Sequence, residues 1–431
     1  MNALKNRHFL ALVSGRFVSN IGDSLYAIAA MWLVFELSGS SFYTGLAGAV
    51  VMLPTMFEFL LGPLVDKWPL KPILVHTQWI QAVLLLVIPV GHYFGVLNVW
   101  IVIVTMFVVA SIEQLSFPAQ NATIPKLLPE SQLVSGNSLM AFAYQGTDIV
   151  FMGAAGLLIT MIGAVHVYTI NSVTFMIATI LFTFISLPKE KKEQEDIHVK
   201  ENAKSYLQEL VEGKDFVMGS LIPKILVPDV IANFLFGMVT AIMPVYANYV
   251  GGERYYGYFL AAMSICVLIG SVLANYVTKI PMGWLNIGMF FVAGICWYIS
   301  YGFAATVPIL SVIFFGLAFI PVGITNVVLT STLQRLIPED KIGRVFSWYS
   351  SIPAALLPLG SLLGGGLASI YGSEVMMAAG GIGFLLTTLY WLINKNLRTL
   401  TNPEQISKED LKLEDNEEKQ PVLREQPLNS Y

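Results

Sequence analysis

Twelve long apolar segments follow one another along the chain, separated by more polar stretches. Each has about 20 mainly apolar residues, the length of α-helix that crosses the hydrocarbon core of a bilayer. The first segment is not a cleavable signal peptide, because Arg16 and Asp23 interrupt it and it is too long. The pattern predicts an all-α integral membrane protein with spans at 9–36, 42–65, 72–92, 97–122, 133–160, 165–187, 224–248, 256–278, 283–305, 308–333, 346–370 and 375–394.

Charged residues are few and confined to two regions. They make up 12% of the chain, about half the share of an average soluble domain. Residues 188–224 and 395–431 hold 29 of the 52 charged residues. This distribution excludes a soluble enzyme, a nucleic-acid-binding protein and a secreted disulfide scaffold. Because the sequence also lacks a P-loop, an HExxH motif and a nucleophile elbow, we expect no enzymatic activity, no cofactor, no metal site and no nucleic-acid partner.

The basic residues predict the orientation in the membrane. With twelve spans and the N-terminus inside, 22 of the 24 Lys and Arg residues fall on one side. Cytoplasmic loops of membrane proteins carry such an excess of Lys and Arg. We therefore expect a multi-pass protein of the cell membrane, embedded in lipid as a monomer, with its N- and C-termini in the cytoplasm.

The chain consists of two similar halves. Segments 123–130 (TIPKLLPE) and 332–339 (TLQRLIPE) align without gaps at an offset of 209 residues, each after the fourth span of its half. Gly156 and Gly365 have the same offset, and Tyr43-Thr44-Gly45 and Tyr255-Tyr256-Gly257 open the two second spans. A parallel repeat of six helices is typical of transporters that handle substrate near the midplane between the halves.

Four regions follow from this repeat and from the charge distribution. We predict an N-terminal six-helix bundle at 1–187, a cytoplasmic linker at 188–223 and a C-terminal six-helix bundle at 224–394. Residues 395–431 contain eight acidic and six basic residues and almost no aromatic ones, so a disordered cytoplasmic tail is expected there.

The loop between the second and third spans has a recognisable motif. Its sequence at 62–71, GPLVDKWPLK, resembles the major facilitator signature G-x-x-x-D-R-x-G-R-K, with matches in type at Gly62, Asp66, Lys67 and Lys71. Pro69 and Leu70 depart from it. Together with segments 117–119 (FPA) and 343–345 (GRV), it makes the chain resemble the branch of macrolide-efflux proteins and the enterobactin exporter.

This resemblance implies the major facilitator fold, with twelve transmembrane helices in two pseudo-symmetric six-helix halves. It also implies secondary active efflux of small amphipathic molecules, of drug, macrolide or siderophore type, by alternating access. In such a carrier the loop that contains Asp66 and Lys67 acts as a gate, because a charged pair there can meet the opposite half and hold one state closed.

Three carboxylates lie deep in the predicted spans. At a helical rise of about 1.5 Å per residue, Asp23, Glu113 and Asp148 are about 20–24 Å from the cytoplasmic headgroups. A charge at that depth costs at least about 2.5–3.5 kcal/mol. We predict that Asp23 and Glu113 carry a coupling proton, with Asp148 as the alternate site. The other interpretation is that these acids hydrogen-bond neighbouring helices.

The remaining charges within the spans lie nearer the cytoplasmic side. Arg16 and Glu58 are at similar depth on adjacent helices, so we predict an intramembrane ion pair, either a structural brace or a functional contact. Asp229 is predicted at the cytoplasmic mouth, where it could equally favour a helix N-terminus.

The sequence therefore predicts an exporter of small molecules driven by proton entry. Two alternatives stay open: a nutrient facilitator or importer, and a transporter-like sensor or scaffold that uses the acidic tail as its interaction arm.

Overall fold

The computed structural model describes residues 3–57, 68–187, 216–338 and 342–413. Each of the twelve predicted spans contains helix, and within the described ranges ten of the helices are long and apolar enough to cross a membrane. The all-α fold is thus confirmed. The helices are α1 Arg7–Ser38, α2 Ser41–Met52, α3 Leu70–Leu85 with Val87–Tyr93, α4 Val99–Leu127, α5 Glu130–Ala141 with Thr147–Ile162, α6 Ala164–Thr183, α7 Ile222–Val250, α8 Glu253–Leu273, α9 Met282–Phe303, α10 Pro308–Leu317 with Phe319–Leu336, α11 Ile342–Ala354 with Leu357–Tyr371, and α12 Ser373–Ile393.

Because the number of spans is even, both chain ends lie on one side, which we call the terminal face. The other side, the opposite face, has short turns. Five of its six turns contain a glycine with positive φ, a conformation that costs glycine little and lets a helix end abruptly. These glycines are Gly39, Gly95, Gly163, Gly252 and Gly372.

Each half is a bundle whose helices pack mainly on members of the same half. In the N-terminal half α1 packs on α5 and α6, and α3 packs on α4 and α6. In the C-terminal half α7 packs on α11 and α12, α9 on α12, and α8 on α10. The most extensive contacts between the halves are α2 with α11 and α5 with α8. These two pairs are related by the internal repeat.

Glycines at both of these contacts allow the helices to touch through their backbones. A Cβ atom on Gly45 would lie 2.7 Å from the Cα of Gly365, and one on Gly365 would lie 2.6 Å from the Cα of Gly45. Gly156 and Gly257 meet in the same way. The four residues belong to the pairs that the sequence repeat relates, so the repeat places a glycine on both sides of each contact.

The halves are closed together at the opposite face. The four contact glycines lie within two turns of the ends of their helices at that face. Nearby, the Tyr256 hydroxyl donates to the Ile28 carbonyl at 3.3 Å, and the Tyr256 ring stacks on Trp32 with centroids 5.3 Å apart. The Ser361 hydroxyl donates to the Gly45 carbonyl at 3.0 Å.

Residues 395–413 are ordered, so the prediction that all of 395–431 is disordered is wrong for this part. Their apolar side chains are buried against the terminal face of the C-terminal half: Leu397, Leu400, Ile406, Leu411 and Leu413. The Arg335 guanidinium donates to three backbone carbonyls of the segment, at 3.1, 2.6 and 3.0 Å. The prediction of disorder rested on the polar average composition of 395–431, which these few, widely spaced apolar residues hardly change.

The predicted linker differs from the expectation at its C-terminal end. Residues 188–215 lie outside the described residues, as do 414–431. Val217 and Leu221 are already buried against the C-terminal half, and α7 begins at Ile222. The C-terminal bundle therefore includes the last residues that the charge pattern assigned to the linker.

A methyl group at the α2–α11 contact is expected to favour opening of the opposite face. Gly365→Ala places its Cβ against backbone, whereas Gly366→Ala points into open space and is the matched control. Overpacking of this kind costs about 1–3 kcal/mol.

The opening is measured by labelling a cysteine at position 260 with an impermeant thiol reagent. The labelled protein carries Leu260→Cys and has Cys266 and Cys296 replaced by serine. Equal labelling rates in both glycine variants would contradict the prediction.

Truncation should show that residues 395–413 stabilise the C-terminal half and that residues 414–431 do not. A chain ending at Leu413 should melt at the wild-type temperature. A chain ending at Asn394 should melt well below it, because burial of each Leu or Ile contributes about 1.5–3 kcal/mol. Thermal unfolding in detergent, monitored by tryptophan fluorescence, measures both, and identical melting temperatures would refute the assignment.

Candidate functional site

The most deeply buried charge in the described residues, Arg16, lies where α1, α4 and α5 meet. Its side chain is 1% exposed. Its Nη2 atom is 3.8 Å from Oδ2 of Asp23 on the same helix and 3.7 Å from Oε1 of Glu113 on α4. A separation of seven residues puts Arg16 and Asp23 on one helix face. We call Arg16, Asp23 and Glu113 the triad.

The charged groups of the triad lie near one another, but Arg16 makes no direct hydrogen bond to either carboxylate. Direct N–H···O contacts between arginine and a carboxylate are about 2.7–2.9 Å long, so both separations here are too long for that geometry. The Asp23 and Glu113 side chains are 14% and 26% exposed. With both carboxylates ionised the three groups carry a net charge of −1, and one proton would make them neutral.

Neighbouring groups on α1 and α5 fix the guanidinium. Arg16 Nη2 donates to Oδ1 of Asn20 at 2.8 Å, and Cζ lies 3.6 Å above the centre of the Tyr144 ring. Asn20 Nδ2 donates to the Tyr144 carbonyl at 2.5 Å and to the Thr147 hydroxyl. Tyr144 belongs to a π-helical turn, Phe142–Gly146, that interrupts α5. Such turns are rare and occur often at functional sites.

Sequence reasoning identified the acids but not the groups around them. The structure brings Asp23 and Glu113 close to Arg16. The sequence pattern predicted a proton-carrying role for the two acids but a different partner, Glu58, for Arg16. Asn20 was missed, although its position four residues after Arg16 and three before Asp23 puts all three on one face. Nothing in the sequence pattern indicated the π-helical turn that presents Tyr144.

Other predicted intramembrane residues are only partly described. Asp148 follows Thr147 in α5, but its side chain is outside the described part, and Glu58 is outside it entirely. The predicted pair between Arg16 and Glu58 therefore stays a prediction. Nε and Nη1 of Arg16 have no acceptor among the described residues.

Of the predicted gating-loop and mouth residues, Lys71 and Asp229 lie on helices near their ends at the terminal face. Gly62, Asp66 and Lys67 are outside the described residues. The Lys71 ammonium donates to the Thr183 carbonyl at 2.7 Å, which joins α3 to α6 within one half. Asp229 on α7 accepts a hydrogen bond of 3.1 Å from the Tyr349 hydroxyl on α11.

An apolar cavity lies between the halves, beneath the closed opposite face. It encloses about 60 Å³ and draws its lining from α1, α7, α8 and α10. Its α1 residues come five to eight positions after Asp23, so the cavity and the triad share that helix. Methionine is polarizable and adapts to irregular shapes, and three of the lining residues are methionines. The lining residues are Ile28, Met31, Phe236, Val239, Thr240, Met243, Tyr256, Leu260, Met263, Phe315 and Phe319.

Metal-binding side chains do not cluster in the part of the chain that the structure describes. No group there combines three or more His, Cys, Asp or Glu residues in a geometry that could hold a metal ion.

A fold of two repeated six-helix halves is typical of one large class of membrane transporters. Residues 12–356 match the family model of the Major Facilitator Superfamily, and the chain belongs to that superfamily. The matched region contains the whole triad. The resemblance predicted from the motif is thereby confirmed, and the protein is a multi-pass membrane transporter.

Individual relatives extend this likeness over most of the chain. The transporter YkuC of Bacillus subtilis, named as an uncharacterized MFS-type protein, is 24% identical over 80% of this chain and 82% of its own. Macrolide efflux protein A of Streptococcus pyogenes is 24% identical over 82% of this chain and 88% of its own. A bacterial homologue of the human lysosomal transporter Spinster, solved in an inward-facing and occupied conformation, matches with a TM-score of 0.66 at 12% identity, over 94% of this chain and 97% of its own.

Neutralising Arg16 is expected to destabilise the protein through its acidic neighbours. Arg16→Gln leaves Asp23 and Glu113 without their buried cation, and breaking such a pair costs about 3–5 kcal/mol, a figure that the partial exposure of the acids reduces. Asp23→Asn in the same chain should restore part of the loss. Thermal unfolding of the double-mutant cycle measures the coupling, and the exposed Arg254→Gln is the control. Strictly additive effects would refute the contact.

Proposed function

We propose that the protein is a secondary active exporter that couples proton entry to the efflux of small amphipathic molecules by alternating access. The observation that carries this proposal is Arg16 buried beside two carboxylates, on α1 and α4 of a major facilitator fold. The proton gradient is the driving force, so no cofactor takes part. One chain supplies both the triad and the cavity, which supports a monomer as the functional unit.

Charge balance supports the exchange of one proton per cycle. One arginine faces two carboxylates, and a buried site with a net charge is more costly than a neutral one. With one proton bound, the site is neutral and the halves can change their contact. Once that proton leaves, the site is negative and favours an arriving group that restores neutrality or hydrogen bonds to the carboxylates.

The closed opposite face supports loading of the substrate from the terminal face. The bias of Lys and Arg predicts that the terminal face is cytoplasmic. A substrate entering there reaches the region between the halves and competes for the carboxylates with the bound proton. Reopening at the opposite face then releases the substrate outside and lets a new proton in.

The chemistry of the cavity supports amphipathic substrates. Its lining is mainly apolar, with aromatic and methionine side chains, while the triad, which shares α1 with it, supplies polar acids. A molecule with an apolar body and a polar or basic group satisfies both. The name of the Streptococcus pyogenes relative, a macrolide efflux protein, agrees with this class of substrate.

Neutral variants of the acids test the coupling. Asp23→Asn and Glu113→Gln keep the shape of each side chain but remove the titration, so each should abolish uphill efflux and retain downhill exchange. Proteoliposomes with an imposed pH gradient, screened with macrolides, siderophores and dyes, measure both activities. The control is Glu253→Gln, an exposed carboxylate at the opposite face.

Asp148→Asn completes the set as the predicted alternate site. If uphill transport survives the three neutral substitutions singly and together, coupling through these residues is wrong, and a facilitator becomes the better description.

A further inference from the structure

Asn20 connects the triad to the π-helical turn of α5. Its side chain is 2% exposed and lies between Arg16 and that turn. On one side Oδ1 accepts from Arg16 Nη2 at 2.8 Å. On the other side Nδ2 donates to the Tyr144 carbonyl and to the Thr147 hydroxyl. The same arginine nitrogen that bonds to Asn20 lies nearest to both carboxylates of the triad.

Chemistry leaves only one orientation for this amide. A guanidinium has donors and no acceptor, so Asn20 must turn its oxygen to Arg16 and its NH₂ group to α5. The Thr147 hydroxyl donates to the Ala143 carbonyl at 2.9 Å, which leaves its oxygen to accept from Asn20. The amide of Asn20 thus supplies both an acceptor for Arg16 and a donor for α5, whereas a carboxylate or an aliphatic side chain would supply no donor to α5.

The bonded part of α5 leads directly to the contact between the halves. Gly156, which meets Gly257 of α8, comes nine residues after Thr147, about 13.5 Å along the helix. A π-helical turn has a wider backbone than the α-helix around it, and kinks arise at such turns. A small change in the turn therefore changes the direction of the segment that carries Gly156.

We propose that Asn20 is a positioning residue that transmits the charge state of the triad to α5 and so to the contact that closes the opposite face. This inference rests on the proposed proton coupling. When a proton neutralises one carboxylate, Arg16 Nη2 is drawn toward the other, and the hydrogen bond that it shares with Asn20 changes. Asn20 then pulls on, or releases, the π-helical turn.

Other titratable groups lie on the triad's own helices and on elements packed against them. Tyr26 is on α1, Tyr144 on α5 and Tyr168 on α6, while α7 carries Asp229 nearer the terminal face. The side chains of Asp148 on α5 and of Glu58, which comes after α2, lie outside the described residues. Tyrosines and arginine do not titrate near neutral pH, so within this set of groups pH acts through the carboxylates.

The test measures opening of the opposite face as a function of pH. Leu260→Cys, with Cys266 and Cys296 replaced by serine, is labelled by an impermeant maleimide from the opposite face, at mildly acidic and mildly alkaline pH. Protein with native Asn20 should show a labelling rate that depends on pH. Asn20→Leu should reduce that dependence by about fivefold, as expected for lost hydrogen bonds.

A matched control separates the relay from the general effect of losing a buried asparagine. Asn286→Leu makes the same chemical change at a residue that is also 2% exposed and whose side chain donates within its own helix, to the Met282 carbonyl. It should keep the full pH dependence of labelling. Thr147→Val removes one of the two acceptors on α5 and should give a smaller reduction, which provides a readout if Asn20→Leu does not fold.

Two failures are distinguishable in this experiment. If folded Asn20→Leu and Thr147→Val both keep the full pH dependence, the relay is wrong while proton coupling stands. If the protein with native Asn20 shows no pH dependence and no proton-driven transport, the proposed function is wrong, and the relay with it.

Discussion

The constraint on which the rest of the structure depends is the burial of a guanidinium inside the bilayer. Arg16 is always charged and is 1% exposed, so its surroundings must supply negative charge and hydrogen-bond acceptors. Asp23 and Glu113 supply the charge, Asn20 an acceptor and Tyr144 a π face. One arginine with two ionised carboxylates leaves a net charge of −1, which a single proton can neutralise. This excess negative charge makes the triad suitable for coupling proton binding to transport.

The contact between the halves solves a different problem, which is how two rigid bundles can close firmly and still separate. At the opposite face the helices touch through paired glycines, Gly45 with Gly365 and Gly156 with Gly257. Backbone contacts give close packing without interlocking long side chains, so they can form and break as units. Because the repeat relates the two contacts, we expect both to open in the same rotation of one half against the other. The segment 395–413 holds α7, α9 and α10 together at the terminal face and so favours motion of the C-terminal half as one body.

The sequence predicts most of the fold, because lipid permits few solutions. Uninterrupted apolar runs of this length had to be helices, because the bilayer core offers no hydrogen-bond partner for unpaired backbone N–H and C=O groups. The helical period also places Arg16, Asn20 and Asp23 on one face of the first helix. The π-helical turn at Phe142–Gly146 was not predictable, because the apolar pattern of one segment contains neither the turn nor the Asn20 side chain of another helix that bonds to it. The order of residues 395–413 was missed because a few apolar side chains among many charges leave the average composition polar, although each is buried individually.

The central claim is that the triad binds one exchangeable proton on its carboxylates, and infrared difference spectroscopy tests it most directly. A protonated carboxyl group has a carbonyl stretch that a carboxylate lacks, so the band reports the bound proton as pH is changed. We predict that a titrating component from about one carboxyl group per protein is lost in Asp23→Asn/Glu113→Gln and kept in Glu253→Gln. A titrating band that persists unchanged in Asp23→Asn/Glu113→Gln would contradict the claim.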